Sequence, residues 1–171
     1  AGAVRDETLI AKKLPSLDFA LYASPTYLKA NGRPKRVADL AAHRCVLFRA
    51  VRGQGEWRLV GRGGEETIKV TGALNADDFS FLLQVVASGV GIALLPTFVA
   101  ERGGLGRIER VLPDYVSPGS ELHLVYPPTR YVPRRVAAFR DFVIDAFNRD
   151  VAPRSGEVRI TRRASRRSSR A

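Results

Sequence analysis

Apolar and polar positions change period several times along the chain, and the changes mark out short elements. Residues 17–22 (LDFALY) form an apolar run of the length a buried strand needs. Ser24-Pro25 follows, a capping side chain with proline at the first helical position, and Asn31-Gly32 supplies a stop tolerant of left-handed backbone. A helix is predicted between them. The VADLAAH stretch predicts a second short helix, and residues 45–48 a strand. Residues 57–60 and 67–71 predict two strands joined through Gly61-Arg62-Gly63-Gly64 as a hairpin.

Further along, Asp77 or Asn75 can cap a helix over residues 78–88, which Gly89 ends. Its polar positions Ser80, Gln84 and Ser88 make one narrow stripe, so burial on most other sides is expected. A strand over 92–95 stops at Pro96, a short helix covers 97–102, and strands follow at 108–112 and 121–126. Residues 133–147 predict an amphipathic helix with Val136, Phe139, Val143 and Ala146 on one face. Arg134, Asp141, Asp145 and Asn148 share the opposite face. Strands alternating with helices define an α/β fold.

Composition changes this picture little. A chain of 171 residues, 45% of them hydrophobic, suits one domain or two small lobes that share strands. No apolar run approaches the length of a membrane-spanning helix. The opening AGAVRDE lacks a basic stretch followed by an apolar one, so no signal peptide is expected. Cys45 is the single cysteine, which excludes an internal disulfide and fits a cytoplasmic location. The net charge of +11 suggests nucleic acid, but its distribution does not. Residues 151–171 hold seven arginines (154, 159, 162, 163, 166, 167, 170) against Glu157 alone, so over half the excess sits there. This Ser/Arg-rich segment is expected to be disordered, and could contact phosphates without reading sequence.

Catalytic chemistry is sparse. Gly61-Arg62-Gly63-Gly64 is followed by Glu65-Glu66, which would repel a phosphate. Gly89-Val90-Gly91 follows a helix rather than a strand, the reverse of the dinucleotide-binding order. His43, Cys45 and His123 do not complete a metal site. Cys45 lies in an apolar run where a thiol is inert, Asp77-Asp78 suit a helix start, and no G-x-S-x-G is present. No enzyme and no cofactor is expected. What remains is the segment Ala73-Leu74-Asn75-Ala76-Asp77, expected as a loop after strand 67–71, where free backbone N–H groups of helix 78–88 could receive a ligand oxygen.

The order of these features resembles the effector-binding domain of LysR-type transcriptional regulators. The matching pieces are Arg5…Leu9 with Lys13-Leu14, then Ala23-Ser24-Pro25-Thr26-Tyr27-Leu28, Gly32-Arg33-Pro34, and Asp39-Leu40-Ala41-Ala42-His43-Arg44-Cys45. Trp57, Gly72…Asn75…Asp78 and, most specific, Ala87-Ser88-Gly89-Val90-Gly91-Ile92-Ala93-Leu94-Leu95-Pro96 follow. Arg107 to Leu112-Pro113 and Ala138-Phe139…Phe142 complete a series covering about residues 1–148.

The resemblance implies a periplasmic-binding-protein-like (type II) fold, two α/β lobes joined by crossing hinge strands, with the first lobe incomplete. On that pattern residues 1–23 are a remnant of lobe I and the first crossing strand, and 24–107 are lobe II. Residues 108–148 are the return crossing, a strand and the C-terminal helix of lobe I, and 149–171 the basic tail, which lies outside the pattern. It also implies a small-molecule effector in the cleft between lobes, at Phe48, Arg49, Leu74, Asn75, Ala76, Asp77, Pro96 and Thr97 by position. A homodimer or homotetramer is implied, with helices 97–102 and 78–88 the candidates for its contacts, core burial being the favoured reading of the second, as is DNA binding through an N-terminal domain absent from this sequence. No membrane partner is expected. A solute-binding protein of a transport system would share the fold, and nucleic-acid contact through the Arg-rich tail is a further alternative.

Overall fold

The structure, a computed structural model, describes residues 9–103, 106–119, 121–128 and 132–151. Its centre is a six-stranded mixed sheet. In chain order its strands are β2 (Phe19–Ala23), β3 (Cys45–Phe48), β4 (Gln54–Gly61), β5 (Gly64–Ala76), β6 (Ile92–Pro96) and β7 (Glu109–Val111). They lie in the order β4-β5-β3-β6-β2-β7. β3 runs parallel to β5 and β6, while β2 is antiparallel to both β6 and β7. A separate two-stranded sheet pairs β1 (Ile10–Lys13) with β8 (His123–Tyr126), antiparallel.

Alternation along the central strands sends neighbouring residues to opposite faces and so builds two cores. Leu21, Ala23, Cys45, Leu47 and Ile92 join one cluster. Ala20, Tyr22, Val46, Ala93 and Leu95 join the other. The first face is covered by α1 (Pro25–Asn31) and a 3-10 helix (Val37–Ala42) through Tyr27, Leu28, Val37 and Leu40. The second is covered by α2 (Phe79–Ala87) and α3 (Thr97–Gly103) through Leu82, Leu83, Val86 and Ala100. A sheet covered on both faces accounts for the near-continuous apolar runs of β2, β3 and β6.

Local chemistry fixes the helix ends. The Ser24 hydroxyl accepts from the Tyr27 N–H at 3.1 Å, Pro25 opens α1, and Gly32 follows it at φ 82°. Capping of α2 falls to Asp78, whose carboxylate accepts from the Phe81 N–H at 2.6 Å, rather than to Asp77 or Asn75. The expected loop at 73–77 is also corrected. β5 continues through Ala76, because Val46, Leu47 and Phe48 of β3 extend the parallel ladder along Leu74, Asn75 and Ala76. At the hairpin, Gly61 has no side chain where the Tyr115 ring packs, and a Cβ there would meet that ring at 2.8 Å. The Tyr115 hydroxyl donates to Glu66 at 2.5 Å, tying the hairpin to the segment after β7.

The last helix, α4 (Arg134–Val151), is longer than expected and carries helix past residue 148 into the segment assigned to the tail. The remainder of that basic segment lies outside the described residues. β1, β8 and α4 are not strands or covers of the central sheet, and α4 meets β8 through the Arg140 guanidinium, 5.9 Å from the Tyr126 ring centre.

Candidate functional site

A cavity of about 590 Å³ opens beyond the carboxyl end of β3, within the size range of small-molecule sites. Its walls are Val46, Leu47 and Phe48 of β3, Gln54, Gly55, Glu56 and Trp57 of β4, Phe19 of β2, Leu94 of β6, and Phe79 at the start of α2. Leu17 and Leu122, from the segments leading to β2 and β8, complete the lining with Arg49, Ala50 and Val51. The carboxyl ends of parallel strands are the usual ligand edge of α/β sheets.

The lining is aromatic and ordered. Phe48 and Phe79 stack with centroids 4.0 Å apart and planes 12° from parallel, and Phe19 meets Phe79 at 5.7 Å and 56°. The Arg49 guanidinium carbon lies 5.3 Å from the Phe48 ring centre. Arg49 has φ 48° and Arg52 φ 54°, left-handed backbone that non-glycine residues adopt only where surroundings enforce it. The enforcing contacts come from the end of β5. The Arg49 N–H donates to the Ala76 carbonyl at 2.9 Å. The Asn75 side chain accepts from the Ala50 N–H at 2.8 Å and donates to the Ala50 carbonyl at 2.9 Å.

Of the residues expected from sequence, Phe48 and Arg49 line the cavity. Asn75 grips the turn behind them. Leu74 and Ala76 pack against the second core, and Asp77 is exposed beyond the end of β5. Pro96 pairs with Phe19 across β6 and β2, and the Thr97 N–H donates to the Asp18 carbonyl at 3.0 Å. Of the N–H groups at the start of α2, expected to be free for a ligand oxygen, that of Phe81 is instead satisfied by Asp78.

Sequence reasoning missed Gln54, Glu56, Trp57, Phe19 and Phe79 as lining residues. Phe79 carried a usable signal, an aromatic directly after a helix cap. The β4 residues carried none, since only the hairpin's fold over β3 brings them to the cavity.

Cys45 is fully buried, and burial pushes its thiol up to about 12. Its hydrogen contacts are the His43 carbonyl at 3.6 Å and the Leu40 carbonyl at 3.9 Å. Such a thiol is no nucleophile at neutral pH. Among the described residues no group of three or more His, Cys, Asp or Glu could hold a metal, and no helix is long and apolar enough to cross a membrane.

A double-faced α/β sheet with an apolar cleft at its carboxyl edge defines a small-molecule-binding class of fold. The family model for the LysR substrate binding domain matches residues 1–148, and the chain belongs to that family. It is 32% identical over 138 residues to an uncharacterized HTH-type transcriptional regulator of Haemophilus influenzae, covering 79% of this chain and 47% of that protein. With the HTH-type transcriptional regulator DmlR of Escherichia coli it shares 35% over 114 residues, 66% of this chain and 37% of DmlR. The chain thus spans about half, or less, of the curated relatives it matches. Among solved structures, full-length AphB, the Vibrio cholerae virulence activator, is similar at TM-score 0.72 and 29% identity, over 85% of this chain and 50% of AphB. The CrgA regulatory domain of Neisseria meningitidis is similar at TM-score 0.69 and 27% identity, over 86% and 72%. The expected periplasmic-binding-protein-like α/β architecture is therefore the observed one.

Proposed function

We propose that this chain is the effector-binding part of a LysR-type transcriptional regulator, and that its effector is a small molecule held in the cleft beyond β3. The observation that carries this reading is the cleft itself. It is an open apolar cleft with a stacked wall of Phe48 and Phe79, Trp57 in the lining and one cationic side chain, Arg49. Phe48 and Arg49 contact the effector and Asn75 supports them from behind, while Leu74, Ala76, Asp77, Pro96 and Thr97, also expected from sequence, stand outside the lining.

On this reading residues 24–107 are the second lobe, and β2 and β7, paired through Leu21 and Val111, are the hinge crossings. Residues before 24 and from 108 to 148 belong to the first lobe. The protein is a cytoplasmic, non-enzymatic sensor that works as a homo-oligomer. Occupancy of the cleft shifts lobe and subunit geometry, and through a DNA-binding domain outside this sequence, promoter binding.

The test is a thermal-shift screen of this chain against a broad set of small metabolite-like acids, amides and amines. A true effector stabilises the folded state by mass action, so Tm rises with ligand concentration. Phe48→Ala is expected to abolish that rise while leaving the unliganded Tm within a few degrees. Absence of any hit, or an undiminished rise in Phe48→Ala, contradicts the reading.

A further inference from the structure

We propose that Asn75 is a positioning residue for Arg49, and that Arg49 so held gives the cleft its preference for a planar carboxylate. The inference rests on the reading of the cleft as the effector site and adds the chemical class of the ligand.

Three hydrogen bonds hold a two-residue segment. The Asn75 amide uses both its donor and its acceptor on the Ala50 backbone, as a neighbouring strand would. The Ala76 carbonyl takes the Arg49 N–H. β5 therefore continues to grip the chain after the β3 ladder ends, and Arg49 is kept at φ 48°. Without the grip, an arginine gains by relaxing to φ below zero, and its side chain would leave the Phe48 ring. Asn suits the role because its side chain carries one donor and one acceptor in the geometry of a peptide group. Spent on Ala50 in this way, the amide serves the turn, and the recognition falls to Arg49.

Arg49 has no carboxylate partner among the described residues, and its guanidinium lies near the cavity's aromatic wall. Glu56, the one acidic lining residue, stands directly across the hairpin from Lys69. A guanidinium fork binds a carboxylate in two parallel hydrogen bonds. The flat Phe48–Phe79 pair beside it favours an aromatic body on that carboxylate.

The experiment titrates this chain with benzoate, its neutral isostere benzamide and the cation benzamidine, read by the emission of Trp57, the sole tryptophan. Benzoate is expected to bind at least tenfold more tightly than benzamide, and benzamidine weakest. Arg49→Gln should remove the benzoate advantage. Asn75→Ala should weaken benzoate several-fold and leave benzamide unchanged, and should have no further effect on benzoate when Arg49→Gln is already present. Circular dichroism of each variant checks that the fold is retained. Equal weakening of benzoate and benzamide by Asn75→Ala, or an undiminished effect in the Arg49→Gln background, overturns the positioning role. Preference for benzamide or benzamidine overturns the ligand class and leaves the cleft reading standing. No response to these probes or to any compound of the broad screen overturns both.

Discussion

Two apolar helices meet different fates in this molecule. α2 lays Leu82, Leu83 and Val86 on the central sheet, leaving a solvent stripe of Ser80, Phe81, Gln84 and Ser88 in which Phe81 is 51% exposed. α4 has an equally clear pattern, yet Phe139 and Phe142 are 67% and 64% exposed, and Ile144 is the large apolar side chain it buries. Periodicity predicts that a helix has an apolar face. It does not say whether a surface stands opposite that face. The central sheet gives α2 a broad apolar face to lie on, whereas the β1–β8 pair offers α4 only a narrow platform. The cleft is built wholly on the well-covered side of this contrast, apart from Leu17 and Leu122.

The difference can be broken or sharpened by experiment. The largest effect is expected at Cys45. With its thiol buried and held up to about 12 against an ordinary 9.0, the folded chain at pH 8 should react with a disulfide thiol probe at least about thirtyfold more slowly than the urea-unfolded chain. Comparable rates would show that the sheet is not closed there. The same shift has a sign for stability. Between pH 9 and 12 the folded chain keeps a proton that the unfolded chain gives up, so this contribution is whole below pH 9 and is lost as pH rises towards 12. Wild type should therefore lose more stability than Cys45→Ala across that interval.

Next in size is Leu82→Ala, which removes a fully buried side chain from the second core and should cost about 3 kcal/mol in urea denaturation. Asp78→Ala removes the cap of α2 and should cost about 1 kcal/mol by the same measurement. The smallest effect belongs to α4. Phe139→Ala should change stability by no more than about 0.5 kcal/mol, because its ring is already in water. A loss at Phe139 as large as that at Leu82 would erase the contrast.

Much of the fold was legible in the sequence because local chemistry and tertiary structure agree. Ser24-Pro25 and Gly32 bound α1 as their residue types require, the apolar run at Cys45–Phe48 is a doubly covered strand, and the glycines at 61–64 turn the hairpin. Errors fell where a neighbour decided. Residues 73–76 look like a loop until β3 lies beside them, and the choice of Asp78 over Asp77 depends on which carboxylate the entering strand points at the helix. Of the eight residues expected at the cleft, two stand in its lining. Phe48 and Arg49 were expected at the cleft, and Asn75 was expected to touch a ligand but spends its amide on Ala50. Trp57, Gln54 and Glu56 reach the cleft only through the hairpin's fold, which no local pattern encodes.

The most direct test of the cleft as a binding site uses Trp57 itself, the only tryptophan and a lining residue. The chain is titrated with the best ligand of the screen while Trp57 emission is followed, in wild type, Phe48→Ala and Phe139→Ala. The predicted result is one saturable change, at equal Kd in wild type and Phe139→Ala and at least tenfold weaker in Phe48→Ala. Equal affinity in Phe48→Ala, or loss of the response in Phe139→Ala alone, would contradict the account.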